Sequence, residues 1–497
     1  VCLSRYFHRR SLTISASFPF WKRGVVVLVG ACLIGLCIFG IRGRTGYNPI
    51  KVSAAYFCQD AFLNQLGVSP TFNLLTSVMD DMRPENKYLH LMDEQEAITK
   101  AQALLNRQGD ANVSPLAVYR HAAKADSVQQ RRPNVVLIMM ESMSSKLMKH
   151  FGQSETLTPF LDSLYTRSIS FRNFYSAGIH TNHGLYATLY SFPAMMKRNL
   201  MKGSVIPRYS GLPTVLKENG YYNLFFMTHE GQYDNMNAFF RTNGYDEVFS
   251  QEDYPADKVV NSFGVRDDFL YDYAIPVLNQ RAATGQPFFA TLLSISNHPP
   301  YVIPPFFHPK TSEPEMQIVE YADWALRQFF EEARKQPWFD NTIFVLEGDH
   351  GKLVGDAECE LPESYNHIPL MIYSSRIHPE EKNTFGGQVD IQPTILGLLN
   401  IDYLQNNFGV DLLKEERPCM FYTADNMIVG RNDTLLYLYN YETQQEFTYH
   451  IDNGKLKAVP MDDRFLPLKE YSFSMLQSAE FLVKHGKTVN SVPFTQQ

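Results

Sequence analysis

The chain has 497 residues, 44% hydrophobic and 13% aromatic, with 28 Tyr, 35 Phe and a formal net charge of −7. That length can bury a large core, and the composition excludes an intrinsically disordered chain. The acidic balance argues against a nucleic-acid binder, which would present a basic face.

The first element in chain order is Val25–Ile41 (VVVLVGACLIGLCIFGI), an uncharged apolar run of 17 residues flanked by Lys22, Arg23, Arg42 and Arg44. A helix of that length crosses a bilayer core of about 30 Å. A secretory signal would be followed by a small-residue cleavage site, whereas Arg42-Gly43-Arg44 follows here. Arg5, Arg9, Arg10, Lys22 and Arg23 precede the run, and Arg42, Arg44 and Lys51 follow it. This excess places the N-terminal side in the cytoplasm. The expected location is therefore the cytoplasmic (inner) membrane, with the long remainder on the extracytoplasmic side. Val1 in place of Met suits a processed product or a piece of something longer.

Cys2, Cys32, Cys37, Cys58, Cys359 and Cys419 show no CxxC and no regular spacing, so neither a zinc ribbon nor a disulfide scaffold is indicated. A Cys359–Cys419 bridge is one option and two buried thiols are the default. Residues 45–132 read as a connector. Ala54–Val78 is moderately apolar and suits the membrane interface or the face of the main body. Glu94–Arg107 is an amphipathic helix, and Gly109–Arg132 is polar and breaks the pattern. A plain stalk would satisfy the same features.

From Pro133 the character changes. Val135–Met140, Asn223–Met227, Phe288–Ile295 and Thr342–Leu346 are near-continuous apolar runs, as in strands buried on both faces. Thr158–Thr166, Leu212–Asn219, Asp267–Gln280 and Ile318–Lys335 between them have helical periodicity. The alternation predicts a doubly wound α/β domain over 133–414. Residues 415–497 predict a C-terminal α+β extension without chemistry of its own. Its expected elements are strands at Thr434–Tyr441 and Glu446–Ile451, a turn at Asn453-Gly454 and a helix near Ser472–His485.

Each apolar run is closed by groups that carry chemistry: Glu141, then His229-Glu230, then Asn297-His298, then Asp349-His350. In an open parallel sheet, ligands bind beyond the carboxyl ends of the strands. One such residue commonly just closes a strand; four sets converging on one edge point to a site. Glu141, Asp349 and His350 form an oxygen and nitrogen set suited to Mn²⁺ or Zn²⁺, which would polarise a phosphoryl oxygen and favour a deprotonated hydroxyl. Thr181, at the expected start of a helix over Asn182–Tyr190, is the candidate nucleophile. A plain helix N-cap is the alternative role for it.

These residues carry a resemblance. NVVLIMMES (134–142), TPFLDSL (158–164), the Thr181 turn, SNHPPY (296–301), EGDHG (347–351) and QVDIQPTILGLL (388–399) stand in order over about Asn134–Asn400. Together they resemble the lipoteichoic acid synthase group of phosphoglycerol transferases in the alkaline phosphatase/sulfatase superfamily. The resemblance implies that fold, with a mostly parallel sheet flanked by helices behind a transmembrane helix, and further spans before residue 1. It also implies that Glu141, Thr181, Asp349 and His350 bind one divalent metal, Mn²⁺ first and Zn²⁺ or Mg²⁺ next. Thr181 would form a covalent phospho-threonine, resolved by a second hydroxyl. His298 would contact the substrate phosphate and protonate the leaving group, and His367 stands where related enzymes often carry a further site histidine. The expected partners are a membrane lipid donor, a cell-envelope glycan or lipid acceptor and the bilayer, with no nucleic acid.

One departure bears on the substrate. The group holds glycerol phosphate with a Trp and an Arg, and here Asp234 and Met236 align with them. Losing that Arg removes a bidentate phosphate clamp, so the resemblance carries the metal chemistry further than the glycerol phosphate. His229, Glu230 and Asp234 could instead recognise an amine or several hydroxyls. Transfer of a phosphoglycerol-like or other phospho-alcohol head group leads. Phosphodiesterase, phosphoethanolamine-transferase-like or sulfatase-like hydrolysis comes second, and a silent binding protein, which should have lost a metal ligand, third. A true sulfatase is disfavoured, because Thr181 is followed by Asn-His-Gly and not by a C/S-x-P-x-R context.

Overall fold

The structure, a computed structural model, describes residues 19–44, 49–58, 61–83, 86–105, 119–122, 132–203, 206–452 and 454–490. Cys2, Arg5, Arg9 and Arg10, most of the polar 109–132 segment, and Asn453 of the expected turn lie outside the described residues.

Helix α1, Phe20–Arg42, contains the apolar run, is long and apolar enough to cross a membrane, and buries none of its residues in the protein. Gly43 ends it at φ +75°, a left-handed conformation that suits glycine. The Ile50 amide donates to the Arg42 carbonyl at 3.0 Å, so the chain turns back on itself there. Helix α2, Pro70–Asp81, starts with Ser69 as N-cap and Pro70 at its first position. Helix α3, Glu94–Leu105, matches the expected amphipathic helix and buries Ala97, Ile98, Ala101 and Leu105. The connector is thus packed on the body rather than standing as a free stalk: Tyr56, Leu89, Ala101 and Leu105 belong to one of its hydrophobic clusters.

The main sheet has eight strands: β1 (Asn134–Met140), β2 (Ile169–Tyr175), β3 (Tyr222–Met227), β4 (Glu247–Phe249), β5 (Phe288–Leu293), β6 (Thr342–Gly348), β7 (Leu370–Tyr373) and β8 (Glu380–Gly387). Their spatial order is β8-β2-β7-β6-β1-β5-β3-β4. All neighbours are parallel except β7, which runs antiparallel to both β2 and β6. The expected parallel sheet is therefore mostly, not wholly, parallel.

The apolar runs are continuous because both faces are covered. Along β1, Val135, Leu137 and Met139 point into one cluster, and Val136, Ile138 and Met140 into the other. The first side is built by α5 (Thr181–Tyr190), α6 (Leu212–Glu218), α7 (Met236–Thr242) and α10 (Ile391–Leu398). The second is built by α4 (Pro159–Tyr165), α8 (Asp267–Ala282) and α9 (Pro314–Ala333).

The C-terminal part adds a five-stranded antiparallel meander of β9 (Met420–Thr423), β10 (Met427–Arg431), β11 (Leu435–Asn440), β12 (Gln445–Asp452) and β13 (Lys455–Ala458). Helix α11, Leu466–Lys484, starts six residues before the expected one and packs on this meander and on α3. Cys359 and Cys419 are both free thiols, only Cys419 being buried, so the default stands for Cys419 and no bridge joins them.

One buried ion pair ties this extension to the main domain. Arg417 Nε donates to Asp390 Oδ1 and Oδ2 at 3.0 and 2.9 Å, Nη1 to the Tyr471 hydroxyl at 2.6 Å and Nη2 to the Phe408 carbonyl at 2.6 Å. Asp390 also accepts from the Gly387 and Val410 amides. Truncating one partner leaves the other buried and unpaired, which costs about 3–5 kcal/mol. Arg417→Ala should therefore lower unfolding free energy by about that amount, read as a shifted urea midpoint by Trp fluorescence; a midpoint near wild type would mean the pair is relaxed or wet.

Candidate active site

Strands β1, β3, β5 and β6 run in one direction, so the residues that follow them meet at one edge of the sheet. Met140 pairs with Gly348 across β1 and β6, which puts Glu141 and Asp349 side by side just beyond the last rung. Glu141, Asp349 and His350 each bring a ligand atom within 4.8 Å of the others.

The chain holds this cluster by strain and hydrogen bonds. Ser142, directly after Glu141, sits at φ +50°, an uncommon conformation for a residue with a side chain. From there its amide donates to Asp349 Oδ1 at 2.8 Å, and its hydroxyl donates to Glu141 Oε1 at 2.7 Å. The Ser142 carbonyl accepts from Asn297 Nδ2 at 3.0 Å, and Lys352 Nζ donates to Asn297 Oδ1 at 2.9 Å. The His350 amide donates to Asp349 Oδ1 at 2.7 Å. His350 Nδ1 faces the Gly351 carbonyl at 2.8 Å, which makes Nδ1 the protonated nitrogen. Nε2 is left 3.6 Å from Asp349 Oδ2 and 3.9 Å from Glu141 Oε1. Metal-ligating imidazoles are oriented in this way.

The donor set fits a divalent cation. Glu141 Oε2 and Asp349 Oδ2 are buried and have no hydrogen-bond partner among the described residues. Burial first, and then the charge of Asp349, push the Glu141 carboxyl well above its usual range. A bound cation would reverse that by giving both orphaned oxygens a partner.

Thr181 is the first residue of α5, and His180, not Thr181, is the N-cap. The Thr181 hydroxyl makes no hydrogen bond among the described residues, so the helix-capping role does not engage it. Residues three apart share a helix face, and Gly184 lies three after Thr181. A Cβ on Gly184 would sit 2.3 Å from the Asp349 carbonyl oxygen, so only glycine lets the first turn of α5 come this close to the cluster. Gln388 spans the same junction, accepting from the Ala177 amide at 2.9 Å and donating to the Asp349 carbonyl at 2.7 Å.

The other candidates are placed as follows. Asp234 accepts from Asn182 Nδ2 at 3.2 Å, beside Thr181, and pairs with Lys202 at 2.9 Å. His229 is buried, which holds its imidazole below the ordinary range, and its ring lies tilted against Tyr233 at 4.7 Å. His298 follows Asn297, lies against the Phe263 ring and is half-buried. His367 is directed elsewhere: its ring lies between Phe151 and Tyr175, and Nε2 meets the Arg172 carbonyl at 2.8 Å. Met236 is buried in the core and presents no side chain to a substrate.

Sequence reading passed over several contributors. Ser142, Asn182 and Lys352 link the candidates, Asn297 among them, to one another only across the fold. His183 is fully buried with neither ring nitrogen hydrogen-bonded among the described residues, and burial pulls its pKa down to about 3, so its ring is neutral.

A family model described as Sulfatase matches residues 133–401, just over half of the chain. The chain belongs to the sulfatase family. Lipoteichoic acid synthase 2 of Bacillus subtilis is 25% identical to this sulfatase-family chain over 315 residues, covering 57% of the chain and 47% of the relative. Lipoteichoic acid synthase of Staphylococcus saprophyticus is 24% identical, covering 67% and 54%. The chain thus spans about half the length of the curated relatives it matches. Among solved structures, a protein in the alkaline phosphatase superfamily from Vibrio parahaemolyticus superposes with a TM-score of 0.72 at 24% identity, covering 82% of this chain and all of that one. The lipoteichoic acid synthase LtaP from Listeria monocytogenes gives 0.63 at 20%, covering 78% and 98%. These superpositions establish the alkaline phosphatase/sulfatase fold.

If the cluster holds a cation, loading it must stabilise the folded chain. Free Mn²⁺ at a hundred times its dissociation constant should add about 2.7 kcal/mol, read as a rise in melting temperature after chelator treatment. Asp349→Asn and Glu141→Gln should each cancel that rise; an equal rise in both variants would place the cation elsewhere.

Proposed function

We propose that this chain transfers a phospho-alcohol head group, glycerol phosphate or a close relative, from a membrane lipid to an acceptor hydroxyl of the cell envelope, through a phospho-threonine on Thr181. The observation that carries this reading is the meeting of two elements. The buried Glu141–Asp349–His350 cluster lies against the first turn of the helix that presents an uncommitted Thr181 hydroxyl. The names of the curated relatives and the membrane-length helix α1 support the lipid side of it.

In the first half-reaction Thr181 Oγ bonds to phosphorus and the bond to the diacylglycerol oxygen breaks. The proton lost from Thr181 balances the one gained by the leaving oxygen, and His298 is the group assigned to deliver it in this reading. In the second, an acceptor hydroxyl attacks phosphorus, gives up its proton to the same imidazole and releases Thr181. A divalent ion held by Glu141, Thr181, Asp349 and His350, Mn²⁺ in this reading, supplies Lewis-acid stabilisation of the phosphoryl oxygens and favours the deprotonated hydroxyl. Asp234, held between Asn182 and Lys202, is the head-group contact beside Thr181 in this reading, and His229 is a second. The catalytic body works on the extracytoplasmic side of the cytoplasmic membrane, where lipid and envelope acceptor meet.

The full chain in vesicles with head-group-labelled phosphatidylglycerol, Mn²⁺ and a glycerol-phosphate acceptor should release diacylglycerol and label the acceptor. Thr181→Ala should lower both by roughly a thousandfold or more, as removal of a nucleophile does. Label appearing only as free head group would make water the acceptor and the enzyme a phosphodiesterase; unchanged turnover in Thr181→Ala would remove Thr181 from the chemistry.

A further inference from the structure

Two adjoining cavities lead from the end of α1 toward Thr181. The outer one, about 630 Å³, takes in Gly40 and Ile41 at the C-terminal end of α1, together with Val68, Phe72 and Leu75. The inner one, about 280 Å³, shares Ile50, Lys51, Val52 and Phe72 with it and continues to Arg83, Lys202 and Asn235. Asn235 adjoins Asp234, which contacts Asn182, the residue after Thr181. The groove therefore starts where the membrane-length helix ends and stops at Lys202 and Asn235, next to Asp234, which accepts from Asn182.

Its chemistry changes along its length. The membrane end is lined by aliphatic and aromatic groups, and the site end by Lys51, Arg83 and Lys202 against the carboxylates of Asp80 and Asp234. Lys51 forms no ion pair among the described residues. Burial, and next the charge of Lys202, hold its ammonium below the ordinary range. Arg83 and Lys202 are each paired, with Asp80 and Asp234, so Lys51, which feels Asp234 and Glu230 at a distance without an ion pair to either, is the charge left to meet an arriving anion. The arrangement is fastened to the rim of the site. Arg44 pairs with Glu230, the Lys51 amide donates to Gln232 Oε1 at 3.3 Å, and Asn237 Nδ2 donates to the Tyr56 carbonyl at 2.9 Å.

We propose that this groove seats one anionic glycerophospholipid of the bilayer, its acyl chains against Ile41, Val52, Phe72 and Leu75 and its phosphate among Lys51, Arg83 and Lys202. Seated there, the head-group diester is handed to Thr181 without leaving the membrane surface. This deepens, and rests on, the reading of the chain as an enzyme acting on a membrane lipid. The groove matches a lipid by both its ends: volume and apolar lining where it meets the membrane helix, positive charge where it meets the site.

The test is photolabelling of the full chain in vesicles carrying a trace of phosphatidylglycerol with a diazirine on one acyl chain, followed by peptide mass spectrometry. Label is expected on peptides from 50 to 79. Leu74 and Leu75 are adjacent on α2 and similarly exposed, at 65% and 60%, yet only Leu75 lines the groove. Leu75→Asp should cut that label roughly tenfold, the cost of a charge against acyl chains, while Leu74→Asp leaves it near wild type. Lys51→Glu should lower labelling by the anionic lipid, and a diazirine phosphatidylcholine should label weakly from the start. Label confined to α1, equal loss in both Leu variants, or equal labelling by the two lipids would overturn the proposal. Labelling needs no turnover, so it separates from the chemistry. Leu74→Asp, which lies outside the groove, should cleave a soluble chromogenic phosphodiester at the wild-type rate, and a wild type unable to cleave any diester would sink the catalytic reading while the label still decides the groove.

Discussion

Two carboxylates share one buried pocket, and much of the architecture follows from that constraint. Glu141 and Asp349 stand within 4.8 Å of each other at the ends of neighbouring parallel strands, both essentially without solvent. Like charges at that spacing repel by roughly 3 kcal/mol even at an effective dielectric constant near 20, and each carries an oxygen that no protein donor reaches. A fold maintains such a pair at a cost unless a cation joins it. The strained Ser142, whose amide and hydroxyl each hold one carboxylate, is the local device that keeps the pair in place.

The surrounding layers make that device rigid. Strands β1 and β6 are sealed on both faces, so the residues beyond their last rung have little freedom. Helix α5 then brings Thr181 in by way of Gly184, whose missing side chain lets helix and Asp349 backbone touch, while Gln388 bridges the same seam. The spacing between the Thr181 turn and the Glu141–Asp349–His350 cluster is thus set by backbone packing, not by a flexible loop.

How much of this was legible in the sequence depended on burial. The central strands β1, β3, β5 and β6 read clearly, because sheet faces covered on both sides demand unbroken apolar runs. The outer ones did not. Strand β8, EEKNTFGG, lies at the edge with its first half exposed, and β2 interrupts its apolar residues with Arg172 and Asn173. Strand β7, four residues long and antiparallel, leaves no periodic trace. The strand-end acids and imidazoles were visible as residues that close such runs. The partners that hold them, Ser142, Lys352 and Gln388, contact the site across 39 to 207 positions of chain or sit at a strained φ, and neither property is written locally. The helical connector was legible as helix, but its seat on α11 was not, since that contact joins segments at opposite ends of the chain.

The same fold accounts for how a membrane-length helix and a catalytic edge meet. The left-handed turn at Gly43 reverses the chain immediately after α1, and Arg44, Lys51 and Tyr56 then lock onto the loop from Glu230 to Asn237. The segment after α1 is thereby fastened to the stretch that carries Asp234, which accepts from Asn182 beside Thr181. Intact-mass spectrometry of the Mn²⁺-loaded chain, quenched during steady turnover of a lipid diester, tests the covalent role of Thr181 most directly. The expected result is an adduct of one phospho-alcohol that maps to the Thr181 peptide and is missing from Thr181→Ala; an unmodified Thr181 peptide throughout steady turnover would contradict it.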